Sequence, residues 1–245
     1  MSDATPRFLD WDTQFFGVRI ASLSALDTGP LDGAAMEQAL AWCRDERIAC
    51  LYLRSDSDDV TTLRAAGAHA FRFVDVRVTL DCPVGTMPMP TVHEGVRTAK
   101  ATDVPALRAI AAYNHRNTRF YADGRFDPAR CDELYATWIE KSVNGWAERV
   151  LVSDAGAGAL GYLSIHLRPE ETAEIGLVGL AREAQGQGLG KKLVESSLAW
   201  MRSKGLQRAT VVTQGRNIAA QRLYQAAGFR TRSMELWHHR WFDAS

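Results

Sequence analysis

Ala184–Val194 reads AQGQGLGKKLV. It follows the apolar run Ala173–Leu180 (AEIGLVGL) and precedes a stretch in which Leu193, Val194, Leu198 and Met201 recur at helical spacing. A strand therefore enters this segment and a helix leaves it. Glycines at 186, 188 and 190 let the backbone turn tightly and present successive N–H groups outward. The positive end of the following helix dipole adds to them, an arrangement that holds phosphate anions. The spacing excludes two nucleotide loops. Gly190-Lys191 is followed by Lys192, so the hydroxyl ligand of a Walker A loop is missing. The glycines are spaced GxGxG, which fails the dinucleotide fingerprint GxGxxG. A glycine-rich turn without a ligand stands as the plainer alternative.

Outward from the loop, the C-terminal part reads as longer elements. Strands are expected at Arg149–Asp154, Leu160–Leu167, Ala173–Leu180 and Arg208–Thr213, the first two forming a hairpin across Ala155–Gly158. Helices are expected from Asp103, which caps a segment with Pro105 in its first turn and runs to His115. Others run from Asp127-Pro128 to Asn144-Gly145, from Leu189 to Ser203 with Gly205 at C′, and from the cap Asn217 to Gly228. The tail from Phe229 to Phe242 reads as one or two closing strands. Its aromatic segment WHHRWF (237–242) is read as packing between units or as the edge of a homodimer.

Cys82–Glu94 (CPVGTMPMPTVHE) carries three prolines and reads as a linker. It divides a small N-terminal α/β domain, residues 1–88, from a larger domain, residues 89–245. In the smaller one, strands are expected at Arg19–Leu23, Ala49–Leu53 and the alternating run Val74 to Leu80. A helix at Asp32–Arg44 buries Met36, Leu40 and Cys43, and a short one at Val60–Ala66 stops at Gly67. Leu63–Gly67 (LRAAG) and Tyr224–Gly228 (YQAAG) echo each other.

The 245 residues hold 29 basic and 29 acidic side chains. That balance lacks the basic face nucleic acid requires. No apolar window reaches membrane-spanning length, and the N-terminus MSDATPRFLDWD lacks a secretory pattern. The four cysteines are scattered and read as free thiols in a reducing cytoplasm. No HExxH or Cys/His quartet is present, so no metal is expected.

The pattern Gln185-x-x-Gly188-x-Gly190, between apolar strand and amphipathic helix, resembles the coenzyme A loop of the GNAT acetyltransferase superfamily. Asn217–Phe229 (NIAAQRLYQAAGF) is similar to the family's last helix. The resemblance spans about Val96 to the C-terminus. Three further segments resemble the subgroup that acetylates TDP-linked amino sugars of the fucosamine type: WDTQFFGV (11–18), RFYADGRF (119–126) and YATWIEK (135–141). The fold so implied is α/β (α+β), a mixed central sheet flanked by helices. The family's usual arginine is replaced here by Gln185.

The resemblance implies acetyl-CoA as acetyl donor and assigns residues to it. The diphosphate would lie against Gln185, Gly186, Gln187, Gly188, Leu189, Gly190 and Lys191. The pantetheine arm would pair with a splayed strand end at Val178, Gly179 and Leu180, whose main chain would hold the oxyanion. Asn217 would contact the cofactor. Tyr224, seven residues on and on the same helix face, would sit beside the sulfur as general acid; a core tyrosine is the alternative. Glu174 is the expected base, against a strand-surface carboxylate or an ordered water. For a nucleotide-sugar acceptor the candidates are Phe15, Phe16 and Gly17, read as a loop, with Arg119 and Tyr121; packing between domains is the alternative. Other acceptors (an aminoglycoside, a polyamine, a protein N-terminus) and a non-catalytic acyl-CoA-binding module remain competing readings.

Overall fold

The computed structural model describes residues 5–154, 156 and 158–242. Its elements in chain order are β1 (Arg7–Phe8), α1 (Asp10–Phe16), β2 (Ile20–Ser24), α2 (Ala25–Thr28), α3 (Gly33–Asp45), β3 (Cys50–Asp56), α4 (Val60–Ala68) and β4 (Arg72–Cys82). After the proline-rich segment come β5 (Val96–Thr98), α5 (Val104–Asn114), α6 (Arg119–Asp123), α7 (Pro128–Lys141), β6 (Arg149–Asp154), β7 (Ala159–Arg168), β8 (Thr172–Leu180), α8 (Leu189–Ser203), β9 (Arg208–Gln214), α9 (Ile218–Ala226) and β10 (Arg230–Trp241). The expected β6–β7 hairpin forms, with Ser153 opposite Gly161. Ala155 and Ala157 of its turn lie outside the described residues, as do Met1–Ala4 of the N-terminal segment.

All ten strands belong to one mixed sheet, ordered β1-β2-β3-β10-β4-β9-β8-β7-β6-β5. The β2–β3 and β8–β9 pairs are parallel and the others antiparallel. The proline-rich segment separates β4 from β5, yet the two halves do not form separate sheets. β10 lies between β3 and β4, with Glu235 opposite both Asp56 and Arg77. β4 in turn pairs with β9, Val78 opposite Thr213. The cause is the alternation along β4. Val78, Leu80 and Cys82 are buried in the same core as Leu193, Val194, Leu198 and Tyr224 of the C-terminal half. The tail is thus a single interior strand, and Trp237–His239 is paired on both sides rather than forming an edge. The two strands that follow the LRAAG and YQAAG segments are neighbours in the sheet.

Helix ends follow the sequence signals with instructive exceptions. Asp32, Asp127 and Asn217 each cap a first turn with the side chain. Gly205 and Gly228 sit at φ +76° and +94°, closing α8 and α9. Asp103 does not cap α5. Its carboxylate accepts from Lys100 N at 2.7 Å and is held in a fork by Arg97 at 2.7 and 2.9 Å, closing the 3-10 turn before the helix. Those bonds hold its carboxyl below the usual range. α4 runs through Gly67, and the chain reverses at Ala70 (φ +57°). The four cysteines are buried and unpaired.

Candidate active site

The parallel strands β8 and β9 are paired only from Thr172 opposite Arg208 to Ile175 opposite Val211. Beyond that point they part, β8 continuing to Leu180 and β9 to Gln214. The divergence has a local cause on the other side of β8. The β7–β8 register shifts between Leu163 and Ile165, and the Ser164 hydroxyl accepts from Leu177 N at 2.8 Å. Such a bulge bends the strand pair. Gly176 and Gly179 permit it. A Cβ at Gly176 would lie 2.7 Å from His166 Nε2, and one at Gly179 would lie 2.7 Å from the Tyr162 ring.

The gap opens into a cavity of about 690 Å³, well within the range of small-molecule sites. Main-chain bonding directions alternate along a strand. Leu177 N and Ala181 N are bonded toward β7, the latter to Leu160 O at 2.8 Å. Val178 and Leu180 therefore direct their N–H and C=O toward the gap. Those of Leu180 are already used: Asn114 at the end of α5 accepts from Leu180 N (3.3 Å) and donates to Leu180 O (2.7 Å). Of the expected donors Val178 to Leu180, Val178 N–H is the one left for a ligand.

At one end of the cavity lies the glycine loop. Gly186 and Gly188 have φ of +75° and +78°, and the added Cβ would meet nothing within 4 Å, so conformation rather than crowding calls for glycine at both. Gly188 caps α8, and the first closing bond is Lys192 N to Gly188 O at 3.2 Å. The N–H groups of residues 186–191 have no main-chain acceptor among the described residues. This run of free amides at the start of a fifteen-residue helix is the anion cradle expected from the sequence. Gln185, Gly186, Gly188, Gly190 and Lys191 line the cavity. Gln187 and Leu189 do not: the Gln187 carboxamide turns back to Glu183 O at 2.6 Å, and Leu189 packs half-buried. Lys191 is 3.8 Å from Glu195.

Tyr224 and Asn217 line the same cavity from α9. Asn217 Oδ1 accepts from Ala220 N at 3.2 Å, so it caps the helix while facing the gap. Tyr224 is 5% exposed. The helix end fixes its ring: Phe229 N donates to Tyr224 O at 3.0 Å past Gly228, and the Phe229 ring packs 5.8 Å from the Tyr224 ring. The Tyr224 hydroxyl has no partner among the described residues. Burial raises its pKa well above the ordinary phenol value, so the hydroxyl is protonated at neutral pH.

The opposite end is lined by His115, Asn117, Thr118, Tyr135 and Trp138. His115 Nε2 is 2.8 Å from the Tyr162 hydroxyl and its ring stacks on Tyr135 at 4.6 Å. Burial pushes its pKa down to about 4, so the imidazole is neutral at pH 7. Reading the sequence alone did not single out Asn114 or His115, both at the end of α5. Tyr135 and Trp138 share a face of α7 by their spacing, but that spacing is equally that of core residues.

Several expected site residues lie elsewhere. Glu174 is on the paired half of β8, and both its oxygens accept from Arg168, at 3.1 and 3.3 Å, away from the cavity. Phe15 and Phe16 are on helix α1 rather than a loop, and Gly17 ends that helix at φ +72°. Neighbouring helical residues lie about 100° apart, so both rings can serve one interface. Phe15 stacks on Trp11 at 5.0 Å, and Phe16 meets Phe126 at 4.6 Å and Phe120 at 5.3 Å. Arg119 is enclosed by Tyr52, Phe120 and Trp237 at 4.0–4.4 Å and donates to His239 Nε2 at 2.8 Å. Tyr121 donates to Asp132. These residues pack the N-terminal half against α6 and α7, and none lines the cavity.

The gap in the parallel strand pair, the free amides and the buried tyrosine all lie on elements that comparison with known proteins covers. Residues 109–229 match the Acetyltransferase (GNAT) family. The chain belongs to that family and is an N-acetyltransferase. Over 235 residues it is 30% identical to the dTDP-fucosamine acetyltransferase of Escherichia coli O6:H1, covering 95% of this chain and 96% of that one. A 95-residue stretch is 37% identical to the mycothiol acetyltransferase of Beutenbergia cavernae, covering 38% of this chain and 30% of that one. The fold matches a GCN5-related N-acetyltransferase from Sphaerobacter thermophilus with a TM-score of 0.64 at 16% identity, covering 96% of this chain and 76% of that one. Among the described residues, no helix is long and apolar enough to cross a membrane.

Proposed function

We propose that the enzyme transfers acetyl from acetyl-CoA to the amine of a nucleotide-linked amino sugar of the dTDP-4-amino-4,6-dideoxyhexose type. The observation that carries the donor assignment is the coincidence, in one cavity, of Gly186, Gly188, Gly190 and Lys191 with free amides, the free Val178 N–H and the unpartnered Tyr224 hydroxyl. These groups fit the donor: a diphosphate against the amides, the amide-bearing arm along the open edge of β8, and the thioester beside Tyr224. The acceptor class is supported by the 30% identity to a dTDP-fucosamine acetyltransferase along nearly the whole of both chains.

The chemistry follows from the residues. A neutral amine attacks the thioester carbon, a C–N bond forms and the C–S bond breaks. Val178 N–H faces the negative charge that develops on the carbonyl oxygen, a type of contact worth about 2.7–4 kcal/mol where one such donor has been removed. Tyr224 gives its proton to the departing sulfur and regains one from solvent. The attacking amine loses a proton to water, because Glu174 is committed to Arg168 outside the cavity. His115, neutral and anchored on Tyr162, orients the acceptor at the far end.

The test is thiol release from acetyl-CoA with a panel of TDP- and UDP-amino sugars, aminoglycosides, polyamines and peptides. Turnover of a TDP-amino sugar with the highest kcat/KM is expected. Activity on peptides alone would overturn the acceptor while leaving the donor site intact.

A further inference from the structure

Beyond Trp138, the acceptor end of the active-site cavity adjoins a second cleft of about 540 Å³ lined by Trp11, Trp138, Lys141, Asn144 and Trp146. Trp138 lines both spaces, so the two lie side by side against one indole. The indoles surround the cleft in a chain, Trp11 to Trp138 at 6.1 Å and Trp138 to Trp146 at 6.3 Å. Trp146 is 56% exposed, a large apolar surface left to solvent.

The backbone departs from regular helix to place it there. After α7 the chain leaves helical geometry at Asn144 and turns at Gly145 (φ +104°), with Ala147 N bonded back to Ser142 O at 3.4 Å. Lys141, the last residue of α7, holds its ammonium 4.8 Å from the Trp11 ring centroid and has no carboxylate within ion-pair distance among the described residues. The cleft thus offers aromatic faces, the Lys141 ammonium over the Trp11 ring and the Asn144 carboxamide.

Resting on the nucleotide-sugar reading above, we infer that this tryptophan cleft binds the nucleobase of the acceptor, with Lys141 facing its diphosphate. The order of chemistries along the two spaces matches such a molecule. The amine lies by Tyr224 and Val178, the hexose by His115 and Tyr135, the charged bridge past Trp138 near Lys141, and the planar base among the indoles. Stacking supplies affinity for any base, since every base has a π-face, and the Asn144 carboxamide can both donate to and accept from a base edge.

The experiment uses the full-length enzyme and two acceptors, a TDP-linked amino sugar and the same amino sugar as its 1-phosphate. In Trp146→Ala the KM for the TDP-sugar should rise about five- to a hundredfold, the loss of one base–aromatic stacking contact. The inhibition constant of TDP alone should rise by the same factor. The KM for the sugar 1-phosphate, the KM for acetyl-CoA and kcat should not change, and Trp146→Phe should restore most of the affinity. If Trp146→Ala lowers the melting temperature, Trp146→Gln provides the same comparison. An unchanged KM for the TDP-sugar would overturn the cleft assignment and leave the acceptor reading standing. Equal rises for both acceptors would also overturn it, since the cleft would then act on the sugar. Failure of the unaltered enzyme to acetylate any nucleotide-linked amino sugar would overturn both.

Discussion

Replacing Tyr224 by Phe removes one oxygen and little else. The ring remains packed against Phe229, the helix end keeps its closing bonds, and the lost hydroxyl bonds to no described residue. The fold should therefore be unaffected or slightly stabilised, because no buried partner is left unsatisfied. Acetyl-CoA binding should be retained, since the amide cradle of residues 186–191 is untouched. The loss should appear in the chemical step. One positioned acid is worth about 10²–10⁴ in rate, or roughly 2.7–5.4 kcal/mol of barrier. Single-turnover acetyl transfer measured by rapid quench isolates that step from product release. Because burial raises the Tyr224 pKa, the unaltered enzyme should show no loss of kcat from phenolate formation up to pH 10, where an ordinary tyrosine would be half ionised. A single-turnover rate within threefold of the parent, in a variant with unchanged thermal stability, would refute Tyr224 as the acid.

Glu174→Gln should leave kcat and its pH profile unchanged and cost less than about 1 kcal/mol, because it breaks only a partly exposed ion pair with Arg168; a displaced basic limb would return Glu174 to the mechanism. Gly188→Ala forces a side chain to φ +78°, a strain of about 1–2 kcal/mol at the cradle, and should raise the KM for acetyl-CoA more than it lowers kcat; an unchanged KM would argue against phosphate contact there. Asn114→Ala leaves Leu180 N–H unpaired and removes the nearer of two donors to Leu180 O, the other being Gln185 Nε2 at 3.5 Å; it should lower stability by about 1–3 kcal/mol, read by urea denaturation, while Asn114→Asp should not restore the bond to Leu180 O because a carboxylate cannot donate. Stability should also fall with acid. His239 Nε2 accepts from Arg119 and its Nδ1 donates to Asp123, so the ring is neutral when folded and burial pushes its pKa down to about 4. The unfolded chain then binds the extra proton first, and the melting temperature should drop as pH falls from about 6.5 through 4. A flat profile in that window would contradict the assignment.

Local chemistry was legible where a residue's role is set by its neighbours in sequence. The glycines at 186 and 188, the caps Asp32, Asp127 and Asn217, and the pairing of Asn217 with Tyr224 two helical turns on all depend on short-range geometry. What was not legible depends on long-range pairing. That β10 inserts between β3 and β4 follows from burial against a core assembled from both halves, which no local pattern encodes. Asn114 and His115 look like an ordinary helix end until β8 and Tyr162 are brought against them. Arg119 carried the chemistry of an anion site, but three aromatic rings and His239 enclose it. Phe15 and Phe16, expected in a loop, lie on a helix, whose spacing of about 100° lets two adjacent rings serve one interface.

A crystal structure of the enzyme with coenzyme A bound tests the central claim most directly. The account predicts diphosphate oxygens within about 3.2 Å of main-chain nitrogens among residues 186–191, an arm amide bonded to the free edge of β8 at Val178, and sulfur within reach of the Tyr224 hydroxyl. Coenzyme A bound outside the β8–β9 gap, or with its sulfur remote from Tyr224, would contradict it.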